Sequence, residues 1–197
     1  MLLIKYPGIK IHGIVADFMS QLEVIPKKSK KVFCFLGSTI GNLSMENAQK
    51  FLKKLSQIMN KGDLLLLGLD MVKNKKILEN AYNDTKNVTE KFNKNILNVV
   101  NKHIKSDFDP EKFEHVAFYN EELSRIEMHL KATCDLNIDC LSLKSNIVIR
   151  KDETIHTENS YKFTERDIAS LAKAANLEIQ EIFTDENKWF SLVQLIK

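Results

Sequence analysis

The sequence lacks most of what would staple, metallate or strongly charge it. Its three cysteines, Cys34, Cys134 and Cys140, are odd in number and nowhere spaced as CxxC. That excludes a disulfide framework and a cysteine zinc site, and makes a reducing, cytoplasmic setting the expected one. Arginine stands only at Arg125, Arg150 and Arg166, and the lysines are so interspersed with acids that the net charge is +3. A clustered basic face for nucleic acid is therefore missing. No apolar run approaches the ~18 residues of a membrane span. The opening Met1-Leu2-Leu3-Ile4-Lys5-Tyr6-Pro7 is interrupted too soon for a signal peptide. The histidines, His12, His103, His115, His129 and His156, show no ligand spacing, so no metal is expected. Glycine is scarce as well: Gly8, Gly13, Gly37, Gly41, Gly62 and Gly68 nowhere form the GxG turn that cofactor-binding α/β folds place after a first strand. Either a cofactor is held without that turn or the turn lies ahead of this sequence.

What is present is an α/β pattern over 197 residues, enough for one domain carrying a smaller lobe. Val32-Phe33-Cys34-Phe35-Leu36 reads as a strand buried on both faces that breaks into Gly37-Ser38-Thr39-Ile40-Gly41-Asn42. Ligands of open parallel sheets bind outside the strands' carboxyl ends, which gives Ser38, Thr39 and Asn42 a ligand-facing address. Ser44 caps a helix over 45–60, Gly62 stops it, and 63–69 forms a second buried strand ending at Asp70. Strand, helix and strand make a βαβ unit. Ahead of it, Ile9 to Val15 reads as a short strand ending at Asp17-Phe18. Asp17 caps a helix there, or, with Phe18, it contacts an amino-bearing heterocycle.

After Asp70 the pattern changes. Helices are expected over 74–84 and over 88–104, the second with Val88, Phe92, Ile96, Val99, Val100 and Ile104 on one face. Extended segments follow at 115–119, 124–134 and 142–155. In Arg125-Ile126-Glu127-Met128-His129-Leu130 the apolar residues share one face and the polar ones the other. An antiparallel patch after two helices reads as an inserted lobe. From Thr164, which with Asp167 resembles a capping box, a helix and two strands at 177–183 and 190–196 close the α/β part.

The run Gly37-Ser38-Thr39-Ile40-Gly41-Asn42 resembles the histidine-specific, S-adenosylmethionine-dependent Nα-methyltransferases of ergothioneine biosynthesis. Gly62-Asp63, Leu64 to Asp70, Val72-Lys73, Ala81-Tyr82-Asn83-Asp84, Val88-Thr89, Phe92-Asn93, Arg125 to Leu130 and Thr157 to Phe163 extend the likeness in order over essentially the whole chain. The resemblance implies a truncated class I, Rossmann-like methyltransferase sheet with an inserted α+β substrate-binding lobe. Its parts are a partial core at 1–72, the lobe at 73–161 and the closing core segment at 162–197. The family carries roughly another hundred residues or more ahead of its counterpart of Asp17-Phe18, including the glycine-rich loop. Its first strand lies beside 31–36, so this strand is expected to have an uncovered edge.

Residue by residue, the resemblance implies S-adenosylmethionine as methyl donor, with Asp17 and Phe18 reading its adenine, and an amino acid, L-histidine, as substrate. Asn42 would hold the α-amino and carboxylate groups, and Tyr82 would donate to the carboxylate. Glu158 and Ser160 would read the imidazole, Met128 would wall that pocket, and Thr89 would line it. Without the family, Asn42 is equally a turn residue, Tyr82 a solvent-facing helix residue, Glu158 an exposed strand acid and Met128 a core residue. An apolar pocket at Met128 and Glu158 would favour an indole amino acid instead. The transfer needs alignment more than acid and base groups, so these residues are positioners. The rival expectation is a truncated or split family member, inactive alone. Such a chain would self-associate, pair with a separately encoded amino-terminal half, or persist as a binding protein.

Overall fold

The computed structural model describes residues 8–26 and 29–197. The opening Met1 to Pro7, considered above as a signal peptide, and Lys27-Lys28 lie outside the described residues.

Four strands form a mixed sheet in the order β1 (Val32–Phe35), β2 (Leu64–Asp70), β9 (Phe190–Ile196), β8 (Glu178–Thr184). The β1 and β2 strands run parallel, as the βαβ pattern requires, and β9 and β8 add antiparallel. Helix α1 (Met45–Ile58) starts where Ser44 accepts from the Asn47 amide, and α4 (Glu165–Ala175) starts at a complete Thr164–Asp167 capping box. Both helices cover one sheet face. Phe51, Leu52, Leu55, Ile168, Leu171 and Ala172 meet Leu65, Leu67, Leu69, Val193 and Leu195 in one apolar core.

Two expectations are corrected at this sheet. The β1 strand is not buried on both faces: among the described residues it is an edge, with Val32 and Leu36 exposed and Phe33 and Phe35 turned to the core. Ile9 to Val15 forms no strand. Its apolar residues are exposed, because among the described residues no neighbouring backbone takes up the hydrogen bonds a strand must share.

Between β2 and α4 the chain builds further sheets. Helices α2 (Lys75–Tyr82) and α3 (Val88–Ile104) precede β3 (Phe113–Asn120), β4 (Arg125–Ala132), β5 (Leu136–Cys140), β6 (Ser145–Ile149) and β7 (Thr154–Tyr161). Three of them form the antiparallel sheet β3-β4-β7, and β5 and β6 make a separate hairpin. The expected segment 142–155 is thus two strands on different sheets, and β5 is additional. The apolar stripe of α3 also divides: Leu97, Val100 and Ile104 reach a core, while Val88, Phe92, Ile96 and Val99 face outward. The reason is Asn93, buried on the inward face to serve His115 and the His129 carbonyl, which turns its apolar neighbours away. Among the described residues no helix is long and apolar enough to cross a membrane.

Candidate functional site

The site forms where the loop after β1 meets β7. Gly37 and Ser38 both have positive φ, 71° and 55°, and turn the chain sharply at the strand's carboxyl end. Ser38 Oγ accepts from the Asp70 amide (2.9 Å) and Thr39 Oγ1 donates to the Leu36 carbonyl (3.0 Å). Both hydroxyls are therefore spent on shaping the loop. Gly41 then lies against β7, where a Cβ would come within 2.9 Å of the Tyr161 carbonyl oxygen. Only a glycine allows that approach, and the approach brings Asn42 to β7.

Asn42 donates through Nδ2 to Glu158 Oε1 at 3.3 Å, although the two are 116 residues apart. Glu158 faces Met128 across the β4–β7 ladder, and Met128 is buried with Ile126, Ala117 and Leu78 in a small core against which Tyr82 packs. Alternation along the strand places Ser160 on the same side as Glu158. The Tyr82 hydroxyl donates to Ser160 Oγ at 2.7 Å. Asn42, Tyr82, Met128, Glu158 and Ser160, drawn from four separate segments, are thus grouped on one side of the β4–β7 ladder, with Met128 and Ser160 buried. Glu158 also borders a hollow of about 240 Å³ walled by Phe92, Ile96 and Val99. Burial pushes the Glu158 carboxyl above its ordinary range, opposed by the Asn42 hydrogen bond and the charge of Lys162.

Tyr82 is held at the end of α2 from the backbone side. His115 Nε2 lies 2.9 Å from its carbonyl oxygen, and Asn83 Nδ2 donates to the Ala117 carbonyl. Lys162 is the residue that sequence reading passed over. Its side chain has no exposed surface, and it pairs with Asp70 at 2.9 Å while donating to Tyr82 and Ser160. The alternation 158, 160, 162 was the available signal.

Other expected residues are placed elsewhere or otherwise engaged. Thr89 donates its amide to Asp84, which its backbone and that of Val88 hold at a pKa of about 2. Asp17 accepts from the Met19 amide and the Ser20 hydroxyl and so closes a turn over 18–20; it caps no helix, the short 3-10 segment Leu22–Val24 starting after Gln21 instead. Phe18, 46% exposed, packs tilted against Phe35 and edge-on against Phe51, 5.7 Å from each, at the carboxyl end of β1. Together they offer a partly exposed aromatic ring and a carboxylate with lone pairs left over.

His129 and His156, far apart in sequence, stack at 4.5 Å beside Glu127, their ligand atoms within 4.8 Å of one another. The cluster lies on the sheet face opposite Met128. Parallel rings aim their in-plane lone pairs side by side instead of at one point. Glu127 is moreover already committed to Arg125, Asn120 and His129.

The whole chain, residues 1–197, matches the family model described as histidine-specific methyltransferase, SAM-dependent. The chain belongs to that family. It is 38% identical over 188 residues to a histidine N-alpha-methyltransferase of Mycobacterium tuberculosis, covering 95% of this chain and 59% of that protein. A histidine N-alpha-methyltransferase of Mycolicibacterium smegmatis matches at the same identity and coverage. An L-tryptophan methyltransferase of Psilocybe serbica is 31% identical over 187 residues, 93% of this chain and 51% of that protein. The chain therefore spans 59% of the length of the first two curated relatives. Its mixed sheet with additional antiparallel sheets is the class I methyltransferase-like fold of the family.

Proposed function

We propose that this chain binds L-histidine at the junction of the β1 loop and β7 and belongs to an S-adenosylmethionine-dependent methyltransferase acting on the α-amino group. The observation that carries the reading is the contact of Asn42 with Glu158. It sets an amide able to accept from an amine and donate to a carboxylate beside an acid able to take an imidazole N–H. A buried acid left unpaired rejects side chains without that N–H, so Glu158 selects histidine over apolar amino acids. Residues 73–161 serve as the substrate-binding lobe.

Asp17 and Phe18 would hold the adenine end of S-adenosylmethionine, which supplies a methyl group on a sulfonium when bound. The residues of the chain contribute orientation. Asn42 fixes the amino group and Glu158 fixes the ring, and alignment of this kind is worth roughly 7 to 11 kcal/mol of a bimolecular barrier. Proton loss from the ammonium goes to solvent.

The open edge of β1, with Val32 and Leu36 exposed, favours a second reading. In it the pocket binds histidine, and transfer waits until another strand, from a second copy or a separate polypeptide, covers that edge. Calorimetric titration of the 197-residue chain with L-histidine, then transfer from methyl-labelled S-adenosylmethionine, separates the two. Binding with transfer supports the first reading and binding without transfer the second. Absence of histidine binding overturns both.

A further inference from the structure

The residue with the most consequence for the pocket is one that need not touch the ligand. Lys162 is 2% exposed, and a buried ammonium is costly unless every proton is taken up. It has three to give and three acceptors around it: Asp70 Oδ2 at 2.9 Å, the Tyr82 hydroxyl oxygen at 2.9 Å and Ser160 Oγ at 2.8 Å. The Tyr82 ring also lies against the charge, 4.8 Å from its centroid. Lysine has no acceptor, so neither hydroxyl can send its proton back toward Lys162.

That leaves a short count. Tyr82 and Ser160 own two hydroxyl protons, and the 2.7 Å bond between them uses one. A single proton remains to point outward. A phenol is a far stronger acid than an alkyl alcohol, so Tyr82 is the donor within the pair and Ser160 carries the outgoing proton. Two residues along the same face, Glu158 offers an acceptor.

We infer that Lys162 is a positioning residue which, by donating to both hydroxyls, makes Ser160 an outward donor beside the Glu158 acceptor, so that the pocket takes imidazole in its neutral form. The inference rests on the histidine reading above. A neutral ring has one N–H for Glu158 and one lone pair for the Ser160 hydroxyl. An imidazolium would set an N–H against that hydroxyl proton. The charged groups facing the pair are Lys162 and Glu158 from β7 and its extension, and Asp70 and Lys73 from the end of β2, with His115 reaching the Tyr82 backbone from β3. Positive and negative partners balance there, so hydrogen-bond polarity decides the form bound.

The test is to bind ring-labelled L-histidine to the 197-residue chain and read both ring nitrogens by NMR. One protonated and one unprotonated nitrogen are expected in the bound ring, with affinity falling about tenfold per pH unit below the free ring's pKa of about 6.5. Lys162→Met is expected to lower affinity at least about tenfold and to flatten that pH profile. Since Lys162→Met also removes one of the two lysines paired with Asp70, Lys73 being the other, Ser160→Ala serves as the second variant. It leaves the ion pair intact and is expected to flatten the profile in the same way. A bound ring carrying both protons, or an unchanged profile in Ser160→Ala or in a folded Lys162→Met, overturns the inference while leaving histidine binding standing. No bound histidine at all overturns the inference together with the reading beneath it.

Discussion

Glu127 and Glu158 sit on opposite faces of one three-stranded sheet and have opposite fates. Glu127 takes hydrogen bonds from Arg125, Asn120 and His129, and although burial pushes its carboxyl up, those donors hold it at about 2. Glu158 has the Asn42 amide and little else, and burial raises its carboxyl. The first acid is saturated by its own chain. The second keeps acceptor capacity in a half-buried place, an arrangement that gains only when something else supplies the proton. An acid left incompletely satisfied beside a hollow marks a binding site more reliably than does an acid with many partners.

Substitutions at the two glutamates should break that comparison in opposite directions. Glu127→Ala leaves the mostly buried Arg125 without its carboxylate and with the Tyr161 hydroxyl as acceptor, and we expect a loss of about 3 kcal/mol of stability by chemical denaturation, with histidine affinity in the surviving folded protein unchanged. Glu158→Ala should weaken histidine binding by about 10- to 100-fold in calorimetry and cost little stability. Gly41→Ala tests the geometry beneath Asn42. Its Cβ would press on the Tyr161 carbonyl, so we expect a loss of about 1–2 kcal/mol and weaker histidine binding, as the loop moves off β7.

Acid separates the same two groups. Glu127 has a folded pKa depressed below its unfolded value, so its contribution to stability is present above about 4.5 and is lost as the pH falls toward 2. Glu158 has a folded pKa raised above its unfolded value, so its contribution is greatest below that unfolded value and declines as the pH rises through the folded one. Glu158→Gln should therefore be slightly more stable than the parent at neutral pH, with the difference vanishing in acid, as melting curves across pH would show. The smallest effect belongs to Asp17→Ala: a slight loss of thermal stability from the missing turn hydrogen bonds, with histidine binding unaltered.

The sequence was informative wherever structure depends on neighbours in the chain. Ser44 and the Thr164–Asp167 pair begin helices by local hydrogen bonds, and the run Leu64 to Asp70 is a strand as read. It misled where a partner decides. Ile9 to Val15 has strand composition and no strand beside it, and the apolar stripe of α3 is split by one buried asparagine. The segment 142–155 hid the turn between β6 and β7, where Asp152 bends the backbone at φ 70°. Residues 42, 82 and 158 were nominated by resemblance, but their convergence is a property of the long-range fold. Lys162 was passed over because a lysine after a strand usually faces water, although the alternation 158, 160, 162 placed it on the Glu158 side.

The central claim is that one small amino acid is gripped by side chains from separate segments of this chain. Amide NMR of the 197-residue protein during L-histidine addition tests it most directly. The account predicts that the signals of Asn42, Tyr82, Glu158 and Ser160 shift together along one saturable curve, and that tryptophan fails to reproduce it. Shifts confined to one of these segments, or scattered over the far face around Glu127 and His129, would contradict it.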